Sequence, residues 1–238
     1  MNFEDFNTIS KAQAGSYESG LRAYMVGVFN KMFMALGLTG AISFLLSTNK
    51  QAILFMFQHR SILILLALAT FGISFTLSLG LHKMKLSTAN GLFWAFATLN
   101  GIIIAPLLAI YTGSSVAMAF LSSAALFGGM SLVGYTTKKD LTSFGTFLFV
   151  GLIVICITSF INFIWLHNSA LSMALSAISV LVFCGLTAYN VQHIKRFYEY
   201  APSNEILSKL AVLGAFQLYL DFINLFTNLL RLFGESKD

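Results

Sequence analysis

Long apolar runs separated by short polar segments make up most of the chain. Seven of them reach the length of about 20 residues that an α-helix needs to cross the hydrocarbon core of a bilayer. These runs are Tyr24–Ser47, Ser61–Leu81, Ala89–Tyr111, Ser115–Tyr135, Ser143–Leu166, Ser169–Gln192 and Lys209–Phe233. Because the connections are short, consecutive runs should lie antiparallel. The pattern therefore predicts an all-α membrane protein with seven transmembrane helices.

Composition supports the same fold class. Charged residues are 10% of the chain, against about 25% in a typical soluble domain. The formal net charge is +5, but the basic residues lie mostly in the short connections, where they set membrane orientation. We therefore expect the lipid bilayer as a partner and no nucleic acid.

The chain divides into three parts by polarity. Residues 1–22 form a polar tail, residues 23–234 a single transmembrane domain, and residues 235–238 a short polar tail. The first tail lacks the pattern of a cleaved signal peptide, so the first span should act as an anchor. With this tail in the cytoplasm, that side receives nine of the Lys and Arg residues and the far side four. The count predicts a cytoplasmic (inner) membrane protein with its N-terminus in the cytoplasm and its C-terminus outside.

The last span carries one stripe of polar and small residues. Its members are Gly214, Gln217, Asp221, Asn224, Asn228 and Arg231. Steps of three and four place them along one side of a helix, which should face other helices or water. A charged group at mid-bilayer costs at least ~2.5–3.5 kcal/mol, so Asp221 is a functional candidate. We interpret it as the gate of an ion pathway solvated by the amides. The alternative is an aspartate that holds the bundle in register.

Several kinds of chemistry are poorly supported. Calcium prefers six to eight oxygen ligands, so Asp221 with a few amides makes a weak metal site that suits a leak better than storage. Intramembrane aspartyl proteolysis requires a second carboxylate at membrane depth, and intramembrane serine proteolysis requires a histidine inside the bundle. The sequence offers neither. We therefore expect no enzymatic activity and no cofactor, with calcium as a permeant ion.

Other polar residues inside the spans have two interpretations each. Lys31 should snorkel to the cytoplasmic surface, the alternative being a partner inside the bundle. The polar residues of the sixth span roughly share one side, and they are Ser172, Ser176, Ser179, Thr187 and Asn190. We expect most of these to serve helix packing and a minority to line a pathway. The basic, aromatic segment Gln192–Pro202 should anchor at the interface, with partner docking as the alternative.

Four stretches of the chain resemble the transmembrane BAX inhibitor motif family, also called the Bax inhibitor one family. They are GIIIAPLLAIY (101–111), GMSLVGYTTKKDLT (129–142), GLTAYNVQHIK (185–195) and LGAFQLYLDFINLFTNLLRLFG (213–234). The resemblance extends over nearly the whole chain from about Leu21. Short loops, with no targeting segment, indicate a bacterial-type member.

The resemblance implies a fold and an activity. The fold has the last of seven helices in the centre, and the activity is a pH-sensitive calcium leak attributed to two aspartates on the last two helices. Asp221 matches the second aspartate, whereas Asn190 stands where the family usually has the first. The arginine that latches the first aspartate in some bacterial members is absent from Ser61–Leu81. Counting along the predicted spans places Asn190 and Asp221 ~10 Å apart in depth.

Two functions from different classes remain open. The first is a cation leak or transport pathway, most simply for calcium, governed by Asp221. The alternative is a non-transporting regulator of membrane protein quality control or stress response that binds a membrane protease. The sequence does not fix the oligomeric state.

Overall fold

The computed structural model describes residues 3–237, with the side chains of residues 15, 17–59 and 61–237. The elements are α1 (Phe3–Thr48), α2 (Lys50–Gln58), α3 (Arg60–Gly80), α4 (Leu86–Ile110), α5 (Gly113–Thr136), α6 (Thr142–Ile161), α7 (Ser169–Tyr200) and α8 (Asn204–Phe233). A 3₁₀ turn, Leu81–Lys83, follows α3, and a π-helical turn, Asn162–Leu166, follows α6. The described part of the chain is all helix and connection, without a named strand.

Seven of these helices are long and apolar enough to cross a membrane. They are α1 from Tyr17 onward and α3 to α8, the 3₁₀ turn and the π-helical turn extending α3 and α6. The predicted fold class, an all-α membrane protein with seven spans, is confirmed. The connections at 81–85, 137–141 and 201–203 share one end of the bundle, which we call the lower end. The connections at 111–112 and 162–168, together with residues 234–237, lie at the upper end.

Two helices extend further than their apolar runs predict. α7 continues past Gln192 to Tyr200, and α8 begins at Asn204 instead of Lys209. Pro202 lies just beyond the end of α7, where a helix cannot continue. Ser203 then caps α8 by accepting a hydrogen bond from the Ile206 N–H at 3.3 Å. The ends are therefore set by capping chemistry, which hydropathy does not record.

The N-terminal tail and the first connection are also helical. α1 begins at Phe3, within the tail expected to precede the first span. Residues 50–58, expected as a connection, form α2, where the Asn49 side chain caps the helix by accepting from the Ala52 N–H at 3.1 Å. Ile53 and Met56 of α2 are buried against α4. α2 is too short to span a bilayer.

The helices differ greatly in how much of their surface the protein covers. α8 packs against α1, α4, α5 and α7, and 50% of its most apolar stretch is buried. α3 packs chiefly on α4, and 6% of its corresponding stretch is buried. The position of the last helix at the centre of a ring of six remains a prediction. What the contacts give is a last helix that touches four others.

Aromatic rings fill the contact between α4 and α8. Phe93 and Phe96 of α4 meet Phe216 and Tyr219 of α8 edge to face, with ring centroids 4.9 to 6.2 Å apart. Edge-to-face pairs add about 0.5–1.5 kcal/mol each beyond the area they bury. This cluster holds α8 in register one to two turns below the centre of its polar stripe.

Candidate functional site

Asp221 lies inside the bundle, in the middle of α8. Its residue surface is 3% exposed. Phe222 follows it and packs edge to face on Phe127 of α5, with ring centroids 5.7 Å apart. The carboxyl group therefore faces protein and not lipid.

Asn190 of α7 meets Asp221 directly. The Asn190 Nδ2 donates a hydrogen bond to the Asp221 Oδ2 at 2.8 Å. Within the described residues this is the one hydrogen bond to the carboxyl. The predicted difference in depth does not keep them apart, because α7 runs ten residues beyond Asn190 to Tyr200 and carries the amide well into the bundle.

Gln217 lies one turn below Asp221 on the same face of α8. Its Oε1 is buried and has no hydrogen-bond partner among the described residues. An unpaired buried acceptor costs about 1–3 kcal/mol. Gln217 therefore presents an unused oxygen next to the carboxyl along the stripe.

Asn224 and Asn228 bond to their own helix. The Asn224 Nδ2 donates to the Leu220 carbonyl at 2.8 Å, and the Asn228 Nδ2 donates to the Asn224 carbonyl at 2.8 Å. Neither donates to Asp221. Of the four amides in the predicted site, the structure thus brings one, Asn190, to the carboxyl.

A polar cavity opens at the upper end beyond Asn228. It has a volume of about 460 Å³, and we call it the upper cavity. Its lining is Ser159, Asn162, Phe163, His167, Asn168, Ser169, Ser172, Leu175, Ser176, Ser179, Asn228 and Arg231. Ser172, Ser176 and Ser179 of the sixth span line this cavity, and their place in a pathway stays a prediction. Thr187 instead is fully buried and donates to the Phe183 carbonyl at 2.7 Å.

The lower end is fastened by side chains of α7, which we call the lower clamp. The Gln192 side chain accepts from the Leu141 N–H at 2.9 Å and donates to the Lys139 carbonyl at 2.8 Å. Arg196 forms an ion pair with Asp140 at 2.8 Å. Both contacts tie the connection between α5 and α6 to α7. The segment Gln192–Pro202 therefore belongs largely to a helix with partners inside the protein.

The clamp carboxylate is strongly held. Hydrogen bonds from the Thr142 side chain and backbone, with the Arg196 guanidinium, lower the pKa of Asp140 to about 2. Because the pKa of Asp140 is lower in the folded chain, its ionised carboxylate stabilises the fold. This contribution is complete above pH ~4 and is lost as the pH falls towards 2. The clamp is therefore fully charged at physiological pH.

A close backbone contact lies beside the clamp. Gly134 of α5 faces the Ala188 carbonyl of α7, and a Cβ at this position would collide with that carbonyl. Only glycine permits this approach. A cavity of about 500 Å³ lies nearby, and we call it the lower cavity. Aromatic and imidazole rings line much of it, including those of Tyr189 and His193.

Other buried polar groups pair across helices. Lys31 donates through Nζ to the Asn90 Oδ1 of α4 at 3.1 Å, so the expected snorkelling is replaced by a partner inside the bundle. The Thr39 and Tyr219 hydroxyls are 2.8 Å apart and join α1 to α8. In the described part of the chain, no group of three or more His, Cys, Asp or Glu side chains is arranged to hold a metal.

The fold and the buried carboxyl define a class, a seven-span helical membrane protein with an acid in its last span. A family model described as "Inhibitor of apoptosis-promoting Bax1" matches residues 21–238. The chain therefore belongs to the Bax inhibitor-1 family.

Similar proteins occur in several bacteria. The chain is 42% identical over 223 residues to the uncharacterized protein RP147 of Rickettsia prowazekii, covering 94% of each chain. It is 39% identical over 221 residues to the inner membrane protein YbhL of Escherichia coli K12, covering 92% of this chain and 94% of that protein. A Caulobacter vibrioides protein is 36% identical over 232 residues, covering 94% of this chain and 92% of its own length.

Sequence reasoning missed the lower clamp and the depth of the upper cavity. Asp140 lies in a connection between two apolar runs, and Gln192 ends the run of the sixth span, so neither stands out in the sequence. The available signal was the spacing of Gln192 and Arg196, which lie one turn apart on one face of an extended α7. For the serines of α7 the signal was their shared side of the sixth span, which did not give the position or the size of the cavity.

Proposed function

We propose that the chain is an inner membrane protein that conducts cations, most simply calcium, through a pathway governed by Asp221. The observation that carries this proposal is the Asp221 carboxyl, 3% exposed and hydrogen-bonded to Asn190 at 2.8 Å. The relative YbhL is named as an inner membrane protein, which supports the membrane assignment. We place the N-terminus in the cytoplasm, from the distribution of Lys and Arg.

The carboxyl has unused capacity for a cation. An ionised carboxylate offers about four acceptor sites, and the described residues fill one of them. The Gln217 Oε1, buried without a partner, adds a second oxygen source one turn away. These ligands are too few for the six to eight oxygens of a stable calcium site. A cation that keeps part of its water would bind briefly, as a leak requires.

Cavities lie above and below Asp221 in the bundle. The upper cavity reaches Asn228, two turns above Asp221 on the same stripe. Asn224 lies between the two residues, and its amide donates to the Leu220 carbonyl. At the lower end the clamp fastens α7 to the connection between α5 and α6. We infer that this clamp keeps the lower end of the pathway shut.

The decisive experiment measures calcium entry into liposomes that contain the purified chain and a calcium indicator. Asp221→Asn should reduce the flux by about tenfold or more, because a charged ligand becomes a neutral one. Glu205→Gln is the matched control, since it neutralises an exposed acid of the same helix, in its first turn. Flux that is equal in Asp221→Asn and the unaltered chain would reject the proposal.

Proton control should depend on one carboxyl in this chain. An amide at position 190 donates a hydrogen bond but cannot exchange a proton with Asp221. Asn190→Asp places a second acid 2.8 Å from the first, and the two should then titrate as a coupled pair. The flux is expected to change from one pH step to two. A profile identical to that of the unaltered chain would contradict control by the proton on Asp221.

The long first helix favours a second function, binding to a membrane-embedded protease. α1 begins at Phe3, whereas its membrane-spanning part begins at Tyr17. The Tyr17 hydroxyl donates to the Glu199 Oε1 at 3.1 Å and holds this helical arm beside the lower end of α7. Deletion of residues 1–14 should then abolish co-purification of such a protease and leave calcium flux unchanged. Unchanged co-purification would argue against this function.

A further inference from the structure

Arg231 is a cation that has no ion-pair partner among the described residues. It lies in the last turn of α8 and is exposed at the upper end. The ion pairs among the described residues are Arg196 with Asp140 and Lys209 with Glu205, and neither involves Arg231. An arginine has five N–H donors in a planar fork that matches phosphate and carboxylate.

Two cavities share Arg231 as a wall. One is the upper cavity, and the second, with a volume of about 570 Å³, is lined by Tyr111, Ser169, Ala170, Ser172, Met173, Ser176 and Arg231. Both contain the serines at 169, 172 and 176. Among the side chains that the structure describes, no acid lines either cavity. The space around the guanidinium is therefore rich in hydrogen-bond donors and free of competing carboxylates.

Ser176 points to a ligand independently of the charge. It is 4% exposed, lines both cavities, and makes no hydrogen bond with the described residues. By contrast, Ser172 donates to the Asn168 carbonyl at 3.2 Å, and Ser179 donates to the Leu175 carbonyl at 2.7 Å. The Ser176 Oγ is not among the fully enclosed polar atoms that lack a partner, so the hydroxyl is open to the cavities. Ser176 thus offers an unused donor to the same space as Arg231.

The start of α7 adds positive potential and rigidity. The Asn168 side chain accepts from the Leu171 N–H at 3.1 Å and caps the helix. Asn162 fixes this turn by donating to the Asn168 carbonyl at 3.1 Å and to the Ser172 Oγ at 2.7 Å. The N-terminal end of a helix attracts anions, and here it opens into the upper cavity at Ser169.

We propose that the upper cavity binds the phosphate group of an anionic phospholipid headgroup, held by Arg231 and Ser176. The location favours a lipid over a soluble phosphate. Phe163 and Trp165, in the adjoining π-helical turn, are 76% and 71% exposed, as expected for aromatic side chains at the level of the headgroups. Basic pockets between transmembrane helices bind lipid headgroups elsewhere.

Binding is measured without any flux, by native mass spectrometry of the detergent-purified chain incubated with phosphatidylglycerol or with uncharged diacylglycerol. The unaltered chain should retain phosphatidylglycerol selectively. Arg231→Gln should lower its apparent affinity by about tenfold, while Arg231→Lys keeps part of it. Ser176→Ala should weaken binding several-fold without any change of charge. Lys50→Gln is the matched control, since it removes an exposed cation of the upper end outside both cavities.

Three outcomes would overturn the proposal. In the first, the unaltered chain and all variants retain phosphatidylglycerol equally. In the second, Lys50→Gln weakens binding as much as Arg231→Gln does, which would indicate a general charge effect. In the third, inorganic phosphate displaces the lipid at an equal concentration, which would make the cavity a site for soluble phosphate. Loss of binding confined to Arg231→Gln and Ser176→Ala would support it.

Discussion

The two ends of the bundle, on either side of the buried Asp221, are built differently. At the lower end, Gln192 and Arg196 fasten the connection between α5 and α6 onto α7. At the upper end, α7 and α8 diverge around a hydroxyl-lined cavity that reaches Asn228. Both ends contain cavities, but aromatic and imidazole rings line much of the lower one. The difference teaches that specific side-chain contacts close the lower end, whereas the upper end keeps a hydroxyl-lined cavity, with the Asn190–Asp221 contact between them.

The largest effect on stability is expected at the lower end, where α5 and α7 pack most closely. Gly134→Ala would place a Cβ against the Ala188 carbonyl, so α5 and α7 would have to separate. We expect a loss of ~1–3 kcal/mol in the free energy of unfolding, typical of overpacking. Thermal unfolding in detergent measures it.

Gly128→Ala on the same helix is the control for this substitution. Its added Cβ would meet nothing within 4 Å. Since alanine favours helix over glycine, Gly128→Ala should leave the unfolding temperature unchanged or raise it. Equal melting of the two variants would show that the contact at Gly134 does not hold the lower end together.

Removal of the Gln192 part of the lower clamp should open the lower end without unfolding the bundle. Gln192→Ala deletes both hydrogen bonds to the connection at Lys139 and Leu141. We expect a destabilisation of about 1–3 kcal/mol, because two backbone groups lose their partners. In liposomes, calcium flux should rise several-fold if the clamp shuts the pathway.

Gln58→Ala provides the comparison for the clamp variant. It removes the same side chain type from an exposed position at the end of α2. This variant should match the unaltered chain in both stability and flux. A Gln192→Ala protein with unaltered flux would mean that the lower clamp fastens the fold but closes nothing.

The smallest effect concerns the exposed ion pair. Asp140→Asn removes a carboxylate whose pKa is lowered to about 2 by Thr142 and Arg196. Since the group is ionised throughout, the stability difference from the unaltered chain should stay constant from pH ~8 to ~5. It should shrink as the pH falls from ~4 towards 2 and the carboxylate of the unaltered chain becomes protonated. Unfolding temperatures measured over this range test it.

The same variant separates the clamp from any proton control at Asp221. The flux of Asp140→Asn should keep the shape of its pH profile between about pH 5 and 8. A profile that shifts along the pH axis would assign the titration to the lower end and not to the stripe.

The spans were predictable because hydropathy reports what a bilayer demands of each segment. The stripe of α8 was predictable because a helical period of three and four residues is visible in the sequence, and the 3% exposure of Asp221 agrees with it. The end of α7 was not predictable, because residues 193–200 continue the helix but are too polar to look like part of a span. The partner of Lys31 was also hidden, since Asn90 lies 59 positions away.

The candidate site was also predictable only in part. The resemblance to the family paired Asn190 with Asp221, while simple counting of depth opposed the pairing. The hydrogen bond exists because helix length and packing decide depth, and neither follows from the boundaries of apolar runs. Whether a side chain such as Ser176 opens into a cavity depends on how three helices diverge. A single sequence does not contain that information.

The sparse contacts of α3 bear on how the protein responds to its surroundings. With 6% of its apolar stretch buried by the protein, α3 is expected to have lipid as its main neighbour, and its tilt should respond to the thickness of the hydrocarbon layer. α8, with four helical neighbours, is shielded from that influence. We therefore expect stretching or thinning of the membrane to act first on α3 and least on the carboxyl of α8.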